Sequence, residues 1–302
     1  MKYAVCSLFP ARGLRNPRAA PGGRSGDNSS VPLTRPSPLR QVALDAVRLN
    51  LDEICFTEHV DYGVKPEWNQ PEGARFEDGR PVTNCPYVPY LDELERTREE
   101  LGDRITLRAG LELGVQTSTV GRNHALVRTL GDRLDFVICS IHQVGDLEFW
   151  NGDFQRGRSQ EEINCAYYEE LLGVVECFRD YSVLGHLDLI RRYDPFGDYP
   201  FACVRDLVAE ILRRVIDDGK GIEVNTSGMR YGLGDFQPSR QVLELYRDLG
   251  GTVVTVGSDS HRLEHLGSYL RLAYRELREL GFSSVWTFER GGRRPRDGSP
   301  DG

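Results

Sequence analysis

Six times along this chain an apolar, largely β-branched run stops within a residue or two of a charged, amide or imidazole side chain. The phrases are DEICFTEH at His59, RAGLELG at Glu112, DFVICSIH at His142, YSVLGHLD at His186, GIEVNTSG at Asn225, and TVVTVGSDSH at Asp259 and His261. Such runs predict strands covered on both faces, as in a parallel sheet, with loops that turn polar groups into a mouth above it. Between them lie segments with helical periodicity, such as PYLDELERTREEL and FACVRDLVAEILRRVIDDG. Strand, polar tip and helix in repetition predict a TIM-like βα barrel with its site on the C-terminal face.

The length of 302 residues suits one such barrel, since these run to roughly 250 residues without dividing. A formal charge of -8 opposes general attraction to a nucleic-acid backbone, so no nucleic-acid partner is expected. Seven cysteines occur without a C-x-x-C pair, and no apolar stretch approaches the length of a membrane span. A soluble cytoplasmic protein without membrane contact is expected; the oligomeric state is not indicated. Residues 10–39 are rich in Pro, Arg, Gly and Ser, so the segment 1–38 is expected to be irregular apart from a possible first strand over 1–9. The barrel is expected over 39–288, followed by a solvated, disordered tail over 289–302. Two loops, from Asp61 to Pro89 with Trp68, Tyr87 and Tyr90, and from Gln143 to Ser159, are long enough to belong to the functional face.

Four of the six histidines (His59, His142, His186, His261) stand at predicted strand ends, with Glu112 and Asp259 in equivalent places. Imidazole and carboxylate donors together suit zinc, manganese or iron better than calcium, which prefers oxygen alone.

TEHVDYG, GLELG, SIHQV, GHLDLI, EVNTSGMR and GSDSH, in this order, resemble the motifs of the PHP (polymerase and histidinol phosphatase) family, and of its histidinol-phosphatase branch in particular. The resemblance spans about residues 39 to 281. It implies a distorted (β/α)7 barrel with up to three divalent metals and phosphomonoesterase chemistry. By position, Glu112 would bridge two metals, His142 and His186 would complete the second, His59 and His261 would hold the third, and Asp259 would belong to the first. Arg230 would clamp the phosphate, making Arg230, Asp259 and His261 the catalytic candidates.

The chain departs from the family at its start, where a strand should end in His-x-His. Laying YAVCSLF on that motif puts Ala4 and Cys6 in the two histidine positions, and SGDNSSVPL then resembles the continuation, with Asp27 as a later ligand. Cys6 would offer a thiolate in place of an imidazole. Three readings follow: a phosphatase of a small monoester, L-histidinol phosphate first; a PHP enzyme of another specificity; or a non-catalytic barrel with an incomplete metal centre.

Overall fold

The computed structural model describes residues 5–10, 39–77 and 79–297, the first stretch by its backbone alone. In chain order the elements begin with β1 (Val5–Pro10), α1 (Leu39–Arg48), β2 (Leu51–Val60), a short ladder of β3 (Phe76–Glu77) with β4 (Arg80–Pro81), α2 (Tyr87–Leu101) and β5 (Thr106–Gly114). They continue with α3 (Val120–Leu130), β6 (Phe136–Ser140), a second short ladder of β7 (Gln143–Val144) with β8 (Leu147–Glu148), α4 (Gln160–Cys177), β9 (Val183–Leu184) and α5 (Phe201–Asp217). The last are β10 (Gly221–Asn225), α6 (Ser227–Arg230), α7 (Arg240–Asp248), β11 (Val254–Gly257), α8 (Leu270–Glu279), β12 (Ser284–Glu289) and β13 (Gly292–Asp297).

One seven-stranded sheet runs β1-β2-β5-β6-β9-β10-β11. The last six strands are parallel, while β1 is antiparallel to β2 and also approaches β11, so the sheet curls toward closure. This is a distorted TIM-like barrel. The strands are buried over nearly their whole length, which is why they read as continuous apolar runs rather than as an alternation. Helices cover the outside through their apolar stripes; α5 buries Val204, Val208, Ile211, Leu212 and Val215 and leaves its charged residues to water. The Ser159 hydroxyl and the Glu162 carboxylate cap the start of α4 reciprocally, fixing where the loop after β6 becomes helix.

Tyr87 and Tyr90, expected in the long loop, instead belong to α2. Tyr90 is fully buried, and its hydroxyl bridges the carbonyls of Phe56 (2.9 Å) and Gly110 (3.1 Å), locking α2 to β2 and β5. An aromatic ring with one polar atom fits that seam because the hydroxyl finds a partner there. The six cysteines whose side chains are described are free thiols. No helix among the described residues is long and apolar enough to cross a membrane.

The disordered tail expected over 289–302 fails over 289–297, and its last residues, 298–302, lie outside the described residues. Glu289 ends β12, and residues 292–297 pair with it residue for residue as β13. Residues 292–296 of β13 are exposed, so composition showed no sign of an element, yet the backbone has a partner strand and the hairpin has a task. It stoppers the N-terminal mouth of the barrel: Phe288 packs on Phe136 with ring centroids 5.1 Å apart, within a cluster of Cys55, Ile138, Val183 and Val253. Buried Glu53 is met there by Arg108, Arg296 and the Thr287 hydroxyl. Phe288→Ala is expected to cost about 3 kcal/mol of stability, the usual toll of emptying a buried aromatic site. Urea unfolding checks this, and a midpoint equal to that of the wild type would remove the hairpin from the core.

Candidate metal centre

The six polar strand tips meet at the C-terminal mouth because the parallel strands end in register: His59 lies beside Glu112 across β2 and β5, and Glu112 beside Ile138 of β6. Glu112 is the hub. Its Oε1 lies 3.0 Å from His142 Nε2, 2.9 Å from His186 Nε2 and 3.1 Å from the Ser140 hydroxyl, which donates to it. Its Oε2 lies 3.6 Å from His59 Nε2, and His59 Nε2 in turn lies 3.3 Å from His261 Nε2. Ligand atoms of His59, Glu112 and His142 all fall within 4.8 Å of one another.

Burial would raise the Glu112 carboxyl, but the imidazoles of His59, His142 and His186 outweigh it and hold it well below the ordinary carboxylate range. His59 is pushed down to about 4 by its burial, so it is neutral at ordinary pH and keeps a bare nitrogen to offer. Burial alone would lower His142 too, yet Asp61 and Glu112 on either side raise it to about 10. Ionised carboxylate at the centre, imidazole nitrogens converging on it, and two of those nitrogens face to face form a donor set suited to a borderline divalent metal.

Two of these tips carry backbone strain. His186 has φ 23° and Asp259 φ 48°, left-handed values that a residue with a Cβ adopts only when its surroundings hold it there. His186 is held partly by Glu223, one layer down in β10, whose Oε2 accepts the His186 N–H at 3.2 Å. Burial pushes the Glu223 carboxyl up to about 7. Beneath His186 the barrel is narrow: a Cβ on Gly185 would meet Ile138 Cγ2 at 2.5 Å and Ser140 Oγ at 2.6 Å.

Asp259 is buried between His261, whose Nδ1 lies 3.4 Å from its Oδ1, and the guanidinium of Arg192. Its Oδ2 lies 3.2 Å from the Ser227 hydroxyl and 3.7 Å from Arg192, and its carbonyl accepts from Arg230 at 2.9 Å. Against the opposing effect of burial, His261 and Arg192 hold its carboxyl down to about 2. Arg192 also donates to Ser227 and Gln237 (both 2.6 Å) and stacks 3.9 Å from the centre of the Tyr231 ring. Arg230 keeps a buried Nη1 without a partner, the sort of unmet donor that an anion fills.

The structure thus gathers His59, Glu112, His142, His186 and His261 around one point and places Asp259 and Arg230 beside it. Asp27 lies outside the described residues, as does Ala4. Cys6 falls in β1, whose backbone alone is described, and β1 runs antiparallel to β2, so it does not repeat the strand-and-tip pattern of the others. Sequence reasoning passed over Asp61, Ser140, Arg192 and Glu223. Asp61 stood in view two residues after His59 in TEHVD, and Glu223 two before Asn225 in GIEVN, the spacing of side chains on one face of a strand. Arg192 had no such signal.

Comparison with known proteins agrees with this architecture. A histidinol-phosphatase of Lactococcus lactis subsp. lactis is 30% identical over 274 residues, covering 87% of this chain and 90% of its own. The crystal structure of histidinol phosphate phosphatase from Lactococcus lactis subsp. lactis, complexed with zinc, L-histidinol and phosphate, superposes with a TM-score of 0.70 at 28% identity, over 85% of this chain and 92% of that one. A Listeria monocytogenes structure at 18% identity shares the fold alone, with a TM-score of 0.63 over 76% of this chain and 92% of its own. The PHP domain model matches residues 36–227, well over half of the chain and five of its six polar strand tips, and the protein belongs to the PHP domain family.

Proposed function

We propose that the protein is a metal-dependent phosphomonoesterase that hydrolyses L-histidinol phosphate to L-histidinol and phosphate, with zinc as its resident metal. The observation that carries the reading is one mouth holding both halves of the chemistry: imidazoles converging on ionised Glu112, and two arginines beside Asp259, one with an unmet buried N–H. His59, Glu112, His142, His186 and His261 would hold metal, with Asp259 at the edge of the same group. Divalent cations there would acidify a water enough for attack at neutral pH and offset charge on the phosphoryl oxygens.

The chain's own residues supply the rest. Arg230 would take a phosphate oxygen through its unmet Nη1, and Arg192, 3.7 Å from buried Asp259, would add positive charge beside it. The likeness to a phosphatase solved with zinc, L-histidinol and phosphate supports both the substrate and the metal. A small phosphorylated substrate also fits the chain's acidic balance better than a polyanion does.

Phosphate release from L-histidinol phosphate by zinc-reconstituted protein, set beside other phosphomonoesters and beside manganese and iron, tests the reading. Turnover well above that of other esters is expected. Equal turnover on all esters would leave a general phosphoesterase, and none would leave a barrel without catalysis. Arg230→Ala is expected to lower kcat/KM by roughly tenfold or more, the worth of a charge-assisted contact of about 1.5 kcal/mol or above. Unchanged kcat/KM would return Arg230 to a purely structural part.

A further inference from the structure

We infer that Asp61 is a positioning residue that sets the tautomer of His142, and that Lys65 decides which way round Asp61 can act; this rests on His142 being a metal ligand. Asp61 is 3% exposed, and its Oδ1 lies 2.7 Å from His142 Nδ1, while Oδ2 pairs with Lys65. The carboxylate is held from both sides. Its own N–H donates to Asn84 Oδ1 at 2.8 Å, Asn84 Nδ2 donates to the Lys65 carbonyl at 3.2 Å, and the Lys65 N–H donates to the Asp61 carbonyl at 3.0 Å. Across the contact stands Gly114, where a Cβ would come within 2.0 Å of Asp61 Oδ1 and 2.9 Å of His142 Nδ1. Any side chain at 114 would part the pair.

A neutral imidazole ligates through its bare nitrogen, and the partner of the other nitrogen decides which one is bare. A carboxylate can only accept, so Asp61 keeps a proton on Nδ1, and Nε2, which faces Glu112 at 3.0 Å, is the nitrogen that gives up its proton to ligate. Lys65 offers donors alone. If Asn stood at 61, Lys65 would claim the amide oxygen and the NH2 group would face His142. Nδ1 would then have to accept, the ring's one remaining proton would sit on Nε2, and a metal could take that nitrogen only by forcing the proton back onto Nδ1 against the NH2 group. Removing Lys65 as well would let the amide turn and present its oxygen to Nδ1–H.

Zinc affinity measured by chelator competition for the wild type, Asp61→Asn, Asp61→Asn with Lys65→Met, and His142→Ala tests this, alongside 15N NMR of the His142 ring in metal-free protein. Asp61→Asn is expected to bind zinc roughly ten- to a hundredfold more weakly, the usual cost of losing such a partner. The double variant should recover part of that loss, and Nδ1 should be protonated in the wild type and bare in Asp61→Asn. A merely structural part for Asp61 predicts the reverse order, with the double variant the weaker.

Wild-type affinity in Asp61→Asn, a protonated Nδ1 in that variant, or a double variant no tighter than the single one overturns the inference. If His142→Ala itself leaves zinc binding unchanged, the metal-centre reading falls and takes the inference with it. Should Asp61→Asn fail to fold, Gly114→Ala carries the test by crowding the pair while keeping every polar group. It too should weaken zinc by roughly tenfold, and wild-type affinity there would overturn the inference.

Discussion

Glu112→Gln is expected to lose bound zinc and to lower kcat/KM for L-histidinol phosphate by roughly a thousandfold, because cations at such a site supply several kcal/mol of charge stabilisation. The change is small in volume and keeps one oxygen, so packing is not what it tests. It removes the one negative charge on which His59, His142 and His186 converge, and turns an NH2 group toward imidazoles that need an acceptor. The neighbouring carboxylates have other partners: Asp61 meets His142 Nδ1 and Lys65, Asp259 meets Arg192, Ser227 and His261, and Glu223 accepts from the His186 N–H. Metal content by elemental analysis and steady-state kinetics on the same preparation decide the matter. Retained zinc with retained turnover would mean that Glu112 is only a hydrogen-bond acceptor for its histidines.

The barrel was legible because its parallel strands are buried on both faces, which forces long apolar runs, and because function needs polar groups where those runs end. His59, Glu112, His142, His186 and Asp259 are conspicuous for that reason: each is a charged or imidazole side chain that follows a run of three or more buried positions. What supports them was far less visible. Asp61 and Glu223 are acidic residues among 46, and nothing in the order of residues says that one accepts from a ring nitrogen and the other from the backbone of His186. Arg192 is one of two adjacent arginines, and only the turn after Asp188 decides that it is this one whose guanidinium reaches Asp259. The C-terminal hairpin was missed for the opposite reason. Its outer strand, GRRPRD, offers no apolar face because residues 292–296 are exposed, yet its backbone pairs fully with β12. Pattern reading finds elements that bury a face, and β13 contributes edge hydrogen bonds and a salt bridge from Arg296 to Glu53 instead.

Zinc affinity is expected to rise about tenfold per pH unit from pH 7 toward pH 9, a slope that counts one displaced proton. The proton is that of His142. Between Asp61 and Glu112 its ring is raised from 6.5 to about 10, so metal-free protein carries an imidazolium there throughout that range, and a metal must displace the Nε2 proton to bind. Of the groups packed beside it, His59, lowered to about 4, is already neutral, while Glu112 and Asp61 are held ionised. The same shift bears on stability with a definite sign. A histidine raised in the folded state stabilises most fully below its unfolded value near 6.5, and that contribution is lost as pH climbs through about 10. Metal-free protein should therefore weaken over the interval in which zinc binds ever more tightly, so the rise in Tm on adding zinc should widen with pH. Chelator competition and thermal melts at pH 7, 8 and 9, with ionic strength fixed, measure both trends. A flat affinity would show that no proton leaves His142, and a slope of two would require a second charged imidazole. In Asp61→Asn the carboxylate that raises His142 is gone, so the slope itself should flatten, separating a proton held by Asp61 from one held by Glu112 alone.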